Sequence, residues 1–217
     1  MKRITAVVGD YYHQEDNGRQ ALQAALQKWA GPADVSLRYV EAGRLEEALA
    51  EAPDAVVLFK EDRVAPQEDD QARWMTEAVA ASIARYVQDG GGWLAWHSGL
   101  ASYDPDGAYV TMLHGHFLHH PHTHQIVRYT PEGSGFPGLD QAFEFVDEHY
   151  FVACDTERTE VFLRSSSVDG NSIAGWRHEE GRGRVCCLTP AHRQEGLGNP
   201  DFLHVLGQTL RWCCKAE

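Results

Sequence analysis

Three histidines each follow a short apolar run through a turn. His13 comes after residues 4–8 by way of Asp10-Tyr11-Tyr12, His97 directly after residues 93–96, and His192 after residues 185–188 through Thr189-Pro190-Ala191. An imidazole can give or take a proton near neutral pH, or ligate a divalent ion through a neutral ring nitrogen. If the runs are parallel strands, all three side chains gather at the carboxyl edge of one sheet, where open α/β proteins bind ligands. Taken singly, each could equally pack locally or cap its turn. The segment around His97, Gly90-Gly91-Gly92-Trp93-Leu94-Ala95-Trp96-His97-Ser98-Gly99, reads as a glycine turn, a buried strand and an abrupt turn. Such a turn presents one reactive side chain, and here that side chain is an imidazole instead of a serine or cysteine.

Two further clusters could contribute. Six of the twelve histidines fall within residues 114–124: His114, His116, His119, His120, His122 and His124. Alternate positions on a strand, or positions four apart on a helix, would point two imidazoles the same way and make two arms of a metal site. Without a clean ligand spacing such as HExxH, the run is also consistent with a polar loop covering a pocket. Asp147-Glu148-His149-Tyr150 follows the alternating Phe143-Glu144-Phe145-Val146. Carboxylates there could act as acid or base, hydrogen-bond a sugar hydroxyl, or sit in a solvated turn. Tyr11, Tyr12, Tyr103, Trp93, Trp96 and Trp176 lie near these segments; aromatic faces suit a sugar's apolar face, and most are expected in the core.

The elements that must position these residues are legible in the first hundred positions. Residues 4–8, 35–40, Ala55–Phe59 and 93–96 read as strands, the third a continuous apolar run of the kind buried in parallel sheets. Between them, Ala21, Leu22, Ala25, Leu26 and Trp29 recur at helical spacing before Gly31-Pro32, a short helix covers 45–51, and Met75, Val79, Ile83 and Tyr86 line a longer helix that Asp89-Gly90 ends. Alternation of this kind predicts an α/β protein with a mostly parallel sheet and helices on both faces. Residues 100–125 show no clear period. Strands are expected at 125–129, 161–163, 172–176 and 184–188, with a hairpin loop at 179–183, and a closing helix from Asp201 carries Phe202, Leu203, Leu206 and Leu210.

Composition sets bounds. The 217 residues suit one domain over 1–217, and 43% apolar residues suffice for a sizeable core. A net charge of −13 argues against nucleic acid or an anionic membrane as partner, since both need a basic footprint. No secretory h-region follows Met1-Lys2-Arg3-Ile4 and no apolar run approaches a membrane span, so the cytoplasm is the expected location. Five cysteines, Cys154, Cys186, Cys187, Cys213 and Cys214, form no CxxC and read as buried reduced thiols. There is no GxSxG, P-loop lysine or GxGxxG, and Gly90-Gly91-Gly92 precedes a strand instead of following one; no nucleotide cofactor is expected.

Taken in order, several segments resemble the ThuA-like family, named for trehalose utilisation, within the class I glutamine amidotransferase-like fold. They are Gly9-Asp10-Tyr11-Tyr12-His13, the GGGxxxxHSG turn at 90–99, the GxFxxHP run at 115–121, Asp147-Glu148-His149-Tyr150, the GxGRV turn at 181–185, Thr189-Pro190-Ala191-His192 and Leu210-Arg211-Trp212. Ala191 departs from the family's usual glycine, a change that matters if the position needs positive φ. The resemblance implies a flavodoxin-like, class I glutamine amidotransferase-like sheet with β-rich additions in the second half. It also implies carbohydrate catabolism, notably of trehalose or keto-sugars, with a small-molecule sugar as ligand. His97 stands where the amidotransferases of this fold carry their cysteine, so glutaminase activity is not expected. His192 matches their triad histidine. The implied site is an acid/base pair of His97 and His192 with Glu148 as third member, in a keto-sugar isomerase or lyase. Tyr12, His13, Ser98, His120 and Tyr150 would bind substrate, and His13, His120, Glu148 and Tyr150 are candidates to hold sugar hydroxyls or one divalent ion, zinc or manganese. Two rival readings are a non-catalytic sugar-binding or sensing protein and a metal-dependent sugar hydrolase. A homo-oligomer, by default a dimer, is the expected assembly.

Overall fold

The computed structural model describes residues 1–29, 31, 34–133 and 135–216. The chain runs β1 (Lys2–Val8), α1 (Glu15–Gln27), β2 (Val35–Tyr39), α2 (Leu45–Ala50), β3 (Ala55–Phe59), β4 (Arg63–Ala65), β5 (Asp69–Arg73), α3 (Glu77–Gln88) and β6 (Gly92–Trp96). It continues with α4 (Ala108–Leu113), β7 (Gly115–His119), β8 (Gln125–Pro131), β9 (Phe143–Asp147), β10 (Phe151–Cys154), β11 (Glu160–Ser167), β12 (Gly170–Glu180), β13 (Gly183–Leu188), α5 (Gln194–Leu197) and α6 (Pro200–Cys213).

Nine strands form one sheet in the order β2-β1-β3-β6-β13-β12-β11-β8-β9. The first five are mutually parallel and the rest antiparallel. This is the expected α/β sheet, flavodoxin-like in its parallel half, with β-rich additions after it. β7 pairs with β10 and β4 with β5 in two small antiparallel ribbons.

The strands alternate between two cores, as a period of two requires. Ile4, Ala6, Leu94 and Trp96 face one core with Leu22 and Ala25 of α1 and Phe202, Leu206 and Leu210 of α6. Val7, Val56, Leu58, Trp93 and Ala95 face the other with Ile83 and Val87 of α3. Helix starts follow from capping: the Thr76 hydroxyl accepts from the Val79 amide at 3.3 Å, and the Asn199 side chain accepts from Asp201 and Phe202 just before Pro200.

Several boundaries differ from expectation. Trp29 lies past the end of α1 and Met75 before the start of α3, and Pro32 is outside the described residues. The stretch without period, 100–125, contains α4 and β7, elements too short to show one. The β4–β5 ribbon carries exposed or half-buried polar residues and no apolar alternation, so pattern reading passes over it.

The turn after β6 needs its glycine. A Cβ on Gly99 would stand 2.1 Å from the Leu58 carbonyl oxygen, a contact the rigid backbone of β3 cannot relieve. Gly99→Ala should lower stability by at least ~1–3 kcal/mol, the usual cost of overpacking. A urea titration will show this as a lower midpoint, and an unchanged midpoint would refute the close approach.

Candidate functional site

Parallel strands β1, β6 and β13 end at the same edge, and the turns that follow them bring His13, His97 and His192 together. His97 sits in a left-handed conformation, φ 47°, at the start of a 3-10 turn through Leu100. Its Nδ1–H donates to the Thr189 carbonyl at 2.6 Å; a carbonyl can only accept, so Nε2 is directed at the other two imidazoles. His13 is oriented in the same way, Nδ1 donating to Asp10 Oδ1 at 2.6 Å. Asp10 itself accepts from the amides of Tyr12, His13 and Glu61. Burial works against the Asp10 charge, yet the His13 hydrogen bond and charge together with the amides hold its carboxyl well below the ordinary range. His192 is placed through its backbone, its amide donating to Asp147 Oδ1 at 2.8 Å, while the Tyr129 hydroxyl donates to Oδ2 at 2.6 Å.

The ring nitrogens converge. His192 Nδ1 lies 2.9 Å from His13 Nε2 and 3.3 Å from His97 Nε2. Glu148 Oε2 completes the group, 3.5 Å from His192 Nδ1 and 3.6 Å from His97 Nε2. All four ligand atoms lie within 4.8 Å of one another. Oε1 of Glu148 faces outward to His120 Nε2 at 3.4 Å and His124 Nε2 at 3.7 Å.

Burial and mutual charge shift the proton affinities of this group in opposite directions. Burial acts to raise the Glu148 pKa, but His97 first, then His192 and His120, outweigh it and bring the carboxyl down to about 2. For His97, burial acts to lower the pKa and Glu148 more than reverses it, so this imidazole holds its proton more tightly than usual. His192 is pushed down to about 3 by burial and by the neighbouring His97 charge. The proton affinities of the two neighbouring imidazoles are thus driven apart beside a carboxyl whose own affinity is lowered.

A cleft of about 340 Å³ opens onto this group, within the ~300–1,000 Å³ range of small-ligand sites. All five residues expected to bind substrate, Tyr12, His13, Ser98, His120 and Tyr150, line it, as do Glu148 and His192. His97 does not: it is 0% exposed, stacked on Tyr150 at 4.1 Å between ring centroids. No cysteine lines the cleft. Tyr12 is its exposed aromatic wall, whereas Trp93, Trp96, Trp176 and Tyr103 are core residues. A larger cleft of about 580 Å³ lies elsewhere, around Lys2, Asp54 and Arg85, and none of the histidines lines it.

The histidine run divides. His120 and His124 turn to Glu148, His119 stacks on Phe151, and His114 goes to a different group with His178 and Glu180. Among the described residues, no pair from the run forms two arms of one metal group. Sequence reasoning missed Glu61, which is buried, lines the cleft and follows β3 as His13 and His97 follow their strands. Its Oε2 accepts from Arg63 and Ser102, and its Oε1 is buried with no partner. The carboxyl-edge rule that singled out the histidines could have found it. Ala191 is fully buried and is not among the residues with positive φ, so the position does not need a glycine's left-handed freedom.

A family model described as ThuA, trehalose utilisation, matches residues 3–213. A ThuA-like protein from Parabacteroides merdae superposes with TM-score 0.74 at 12% identity, covering 100% of this chain and 91% of that one. A second, from Bacteroides uniformis, gives 0.71 at 17%, covering 98% and 91%. A protein described as cytoplasmic from Salmonella typhimurium gives 0.66 at 14%, covering 98% and 99%. At these identities the superpositions establish the fold. No curated protein matches the sequence significantly. Among the described residues, no helix is long and apolar enough to cross a membrane.

Asp147 is fully buried and depends on its hydrogen-bond donors, the Tyr129 hydroxyl among them. Tyr129→Phe leaves one carboxylate oxygen short of a partner and should cost about 1–3 kcal/mol, measured by urea denaturation. A neutral result would mean that the carboxylate does not rely on the phenol.

Proposed function

The chain belongs to the ThuA, or trehalose utilisation, family, and from that premise we propose that it is a metal-assisted enzyme of carbohydrate catabolism acting on a keto-sugar derivative. The observation that carries this reading is the group His13, His97, His192 and Glu148. Tetrahedral zinc with ligands at ~2.0–2.1 Å places neighbouring ligand atoms about 3.3–3.4 Å apart. Four of the six separations, 2.9, 3.3, 3.5 and 3.6 Å, bracket that edge, and all six are within 4.8 Å. Asp10 and the Thr189 carbonyl supply the outer acceptors that fix the tautomers of His13 and His97, as outer partners of metal-bound histidines do. Neutral imidazoles and a carboxylate also accept manganese.

A divalent ion held there would polarise a carbonyl oxygen and acidify the adjacent C–H. The chain's own residues divide the remaining work. His97, without exposed surface, is a ligand in this reading and not a group that meets substrate. His120 stands half-exposed at the mouth, where it can take or give a proton. Glu61 Oε1, an acceptor without a donor, suits a sugar hydroxyl, with Arg63, Ser98 and Ser102 beside it and Tyr12, Phe117 and Tyr150 as apolar walls. Glutaminase chemistry has no support, since position 97 offers no thiolate.

One observation favours a second reading. His97 and His192 have proton affinities driven apart while their nitrogens are 3.3 Å apart, the arrangement of an acid/base pair that needs no metal.

Chain purified without tag or chelator should retain zinc or manganese, one equivalent of which is lost in His192→Ala. Asp10→Asn should weaken that binding by about 10–100-fold, the cost typical of removing an outer partner. Chelation should abolish turnover of keto-sugars and added metal restore it. Turnover that survives chelation but not His192→Ala would establish the acid/base pair instead. Saturable sugar binding without product in every variant would make this a binding protein.

A further inference from the structure

A second group of ligating side chains lies at the other end of β12. His178 and Glu180 alternate on that strand and so project from the same face. They pair with Val185 and Gly183 at the start of β13, whereas His192 follows the end of β13, so the two groups sit toward opposite edges of the sheet. His114 joins them from the end of α4. It occupies the left-handed cap position, φ 54°, and this turn directs its ring to His178, with ring centroids 4.3 Å apart. Ligand atoms of His114, His178 and Glu180 lie within 4.8 Å of one another, and His114 Nε2 is 3.9 Å from Glu180 Oε2.

His178 supplies the decisive observation. Its residue is 9% exposed, and its Nε2–H donates to the Met112 carbonyl at 2.9 Å. That bond assigns the proton to Nε2 and leaves the lone pair on Nδ1, which is buried and has no hydrogen-bond partner. A buried polar atom without a partner costs free energy, and native proteins seldom leave one so. What satisfies it is a hydrogen donor or a cation, and the ligand atoms of His114 and Glu180 gathered beside His178 favour the cation. Two imidazoles and one carboxylate with open positions are a recurrent ligand set for divalent transition metals and zinc. Glu180 is partly exposed, and its carboxylate accepts from Gln88 at 3.4 Å with one oxygen and faces His114 at 3.9 Å with the other, a distance that a side-chain adjustment can close.

We propose that His114, His178 and Glu180 bind a divalent cation of the zinc class, distinct from the ion at the carboxyl edge, and that this ion ties the end of α4 to β12. The existing ties at this corner are consistent with that role: Trp176 Nε1–H donates to the Leu113 carbonyl, next to the His178 bond to Met112. α4 is only six residues long and leads directly into β7, the strand that carries Phe117 over the cleft. A cation here would therefore brace the cover of the cleft from behind without touching substrate.

The test uses the full chain without tag, loaded with Zn²⁺ and dialysed, with bound zinc measured by elemental analysis and titration calorimetry. Wild type is expected to retain two equivalents, His192→Ala one, and His192→Ala with His114→Asn none. Asparagine is chosen because it tolerates the left-handed conformation at 114. Glu180→Gln, on a partly exposed side chain whose loss should leave the fold intact, is expected to weaken the second equivalent at least tenfold. In the His192→Ala background, Zn²⁺ should raise the melting temperature, and Glu180→Gln should remove that rise. Zinc retained by His192→Ala but indifferent to both His114→Asn and Glu180→Gln would belong to the exposed histidine run and overturn the proposal. So would a His192→Ala chain that holds no zinc. Should His192→Ala lose nothing relative to wild type, the carboxyl-edge reading fails alone, and the response to His114→Asn and Glu180→Gln still decides this one.

Discussion

The hydrogen bond from the His192 amide to Asp147 joins two strands that the sheet order keeps apart. β13 and β9 are separated by β12, β11 and β8. In a flat sheet, four strand spacings would put them about 19 Å apart. The 2.8 Å contact exists because the antiparallel half curls back over the carboxyl edge of the parallel half. Register shifts in the β11–β12 pairing supply local bends of the kind bulges produce. Gly175 lies in that pairing, where a Cβ would stand 2.5 Å from the Phe162 ring. Phe143 and Phe145 of β9 turn into the same core as Phe202 of α6, so apolar burial holds the curl. Glu148 is the next residue after the closure. Its position among the three histidines is a consequence of where the sheet edge lands.

Closure also sets the electrostatic problem that the site solves. Asp10, Asp147 and Glu148 are buried carboxylates, and a buried charge is tolerable only when paired and hydrogen-bonded. Asp10 is met by three amides and His13, and Asp147 by a phenol and an amide. Burial still raises the Asp147 pKa, because its donors only partly offset the loss of water. Glu148 is met by imidazoles on both sides, His97 and His192 at one oxygen and His120 and His124 at the other. Its partner must then be a cation, whether a proton on His97 or a metal ion. The outer carboxylate and carbonyl hold two of the imidazoles in one tautomer before any ligand arrives, so little reorganisation is needed when one does.

How much of this was legible depends on which interactions are local. The parallel half could be read because Ala55–Phe59 and Gly92–Trp96 are buried on both faces and therefore apolar throughout. Once those strands are placed, the convergence of His13, His97 and His192 follows from topology alone. Glu148 could be singled out by its motif, but its role could not be derived, since it comes from a distant edge strand whose path depends on the curl. Asp10 appeared only as part of a turn; its hold on His13 is a side-chain contact with no periodic signature. On the sequence alone the strand ends at 176 and Glu180 falls in the hairpin loop 179–183, whereas β12 continues through His178 to Glu180. Their alternation is visible, but their partner His114 belongs to a histidine run whose members disperse to three different surroundings. A six-residue helix ending in a left-handed residue gives no pattern from which that dispersal could be foreseen.

The turn at His97 shows how a fold element fixes one side chain. A side chain placed at positive φ on a tight turn between strand and helix is held rigidly, because the strained backbone is fixed by the packing around it. Gly99 lets that turn press against β3, with the Leu58 carbonyl where a Cβ would be. A nucleophile on such a turn must reach solvent to meet its substrate. The imidazole here instead points inward, covered by Tyr150 and bonded to Thr189. What the strain secures is accuracy of placement, which a ligand or an orienting acid needs as much as a nucleophile does. The turn thus fixes an imidazole behind the cleft, and the side chains of the group that the cleft itself exposes are His192, Glu148 and His120.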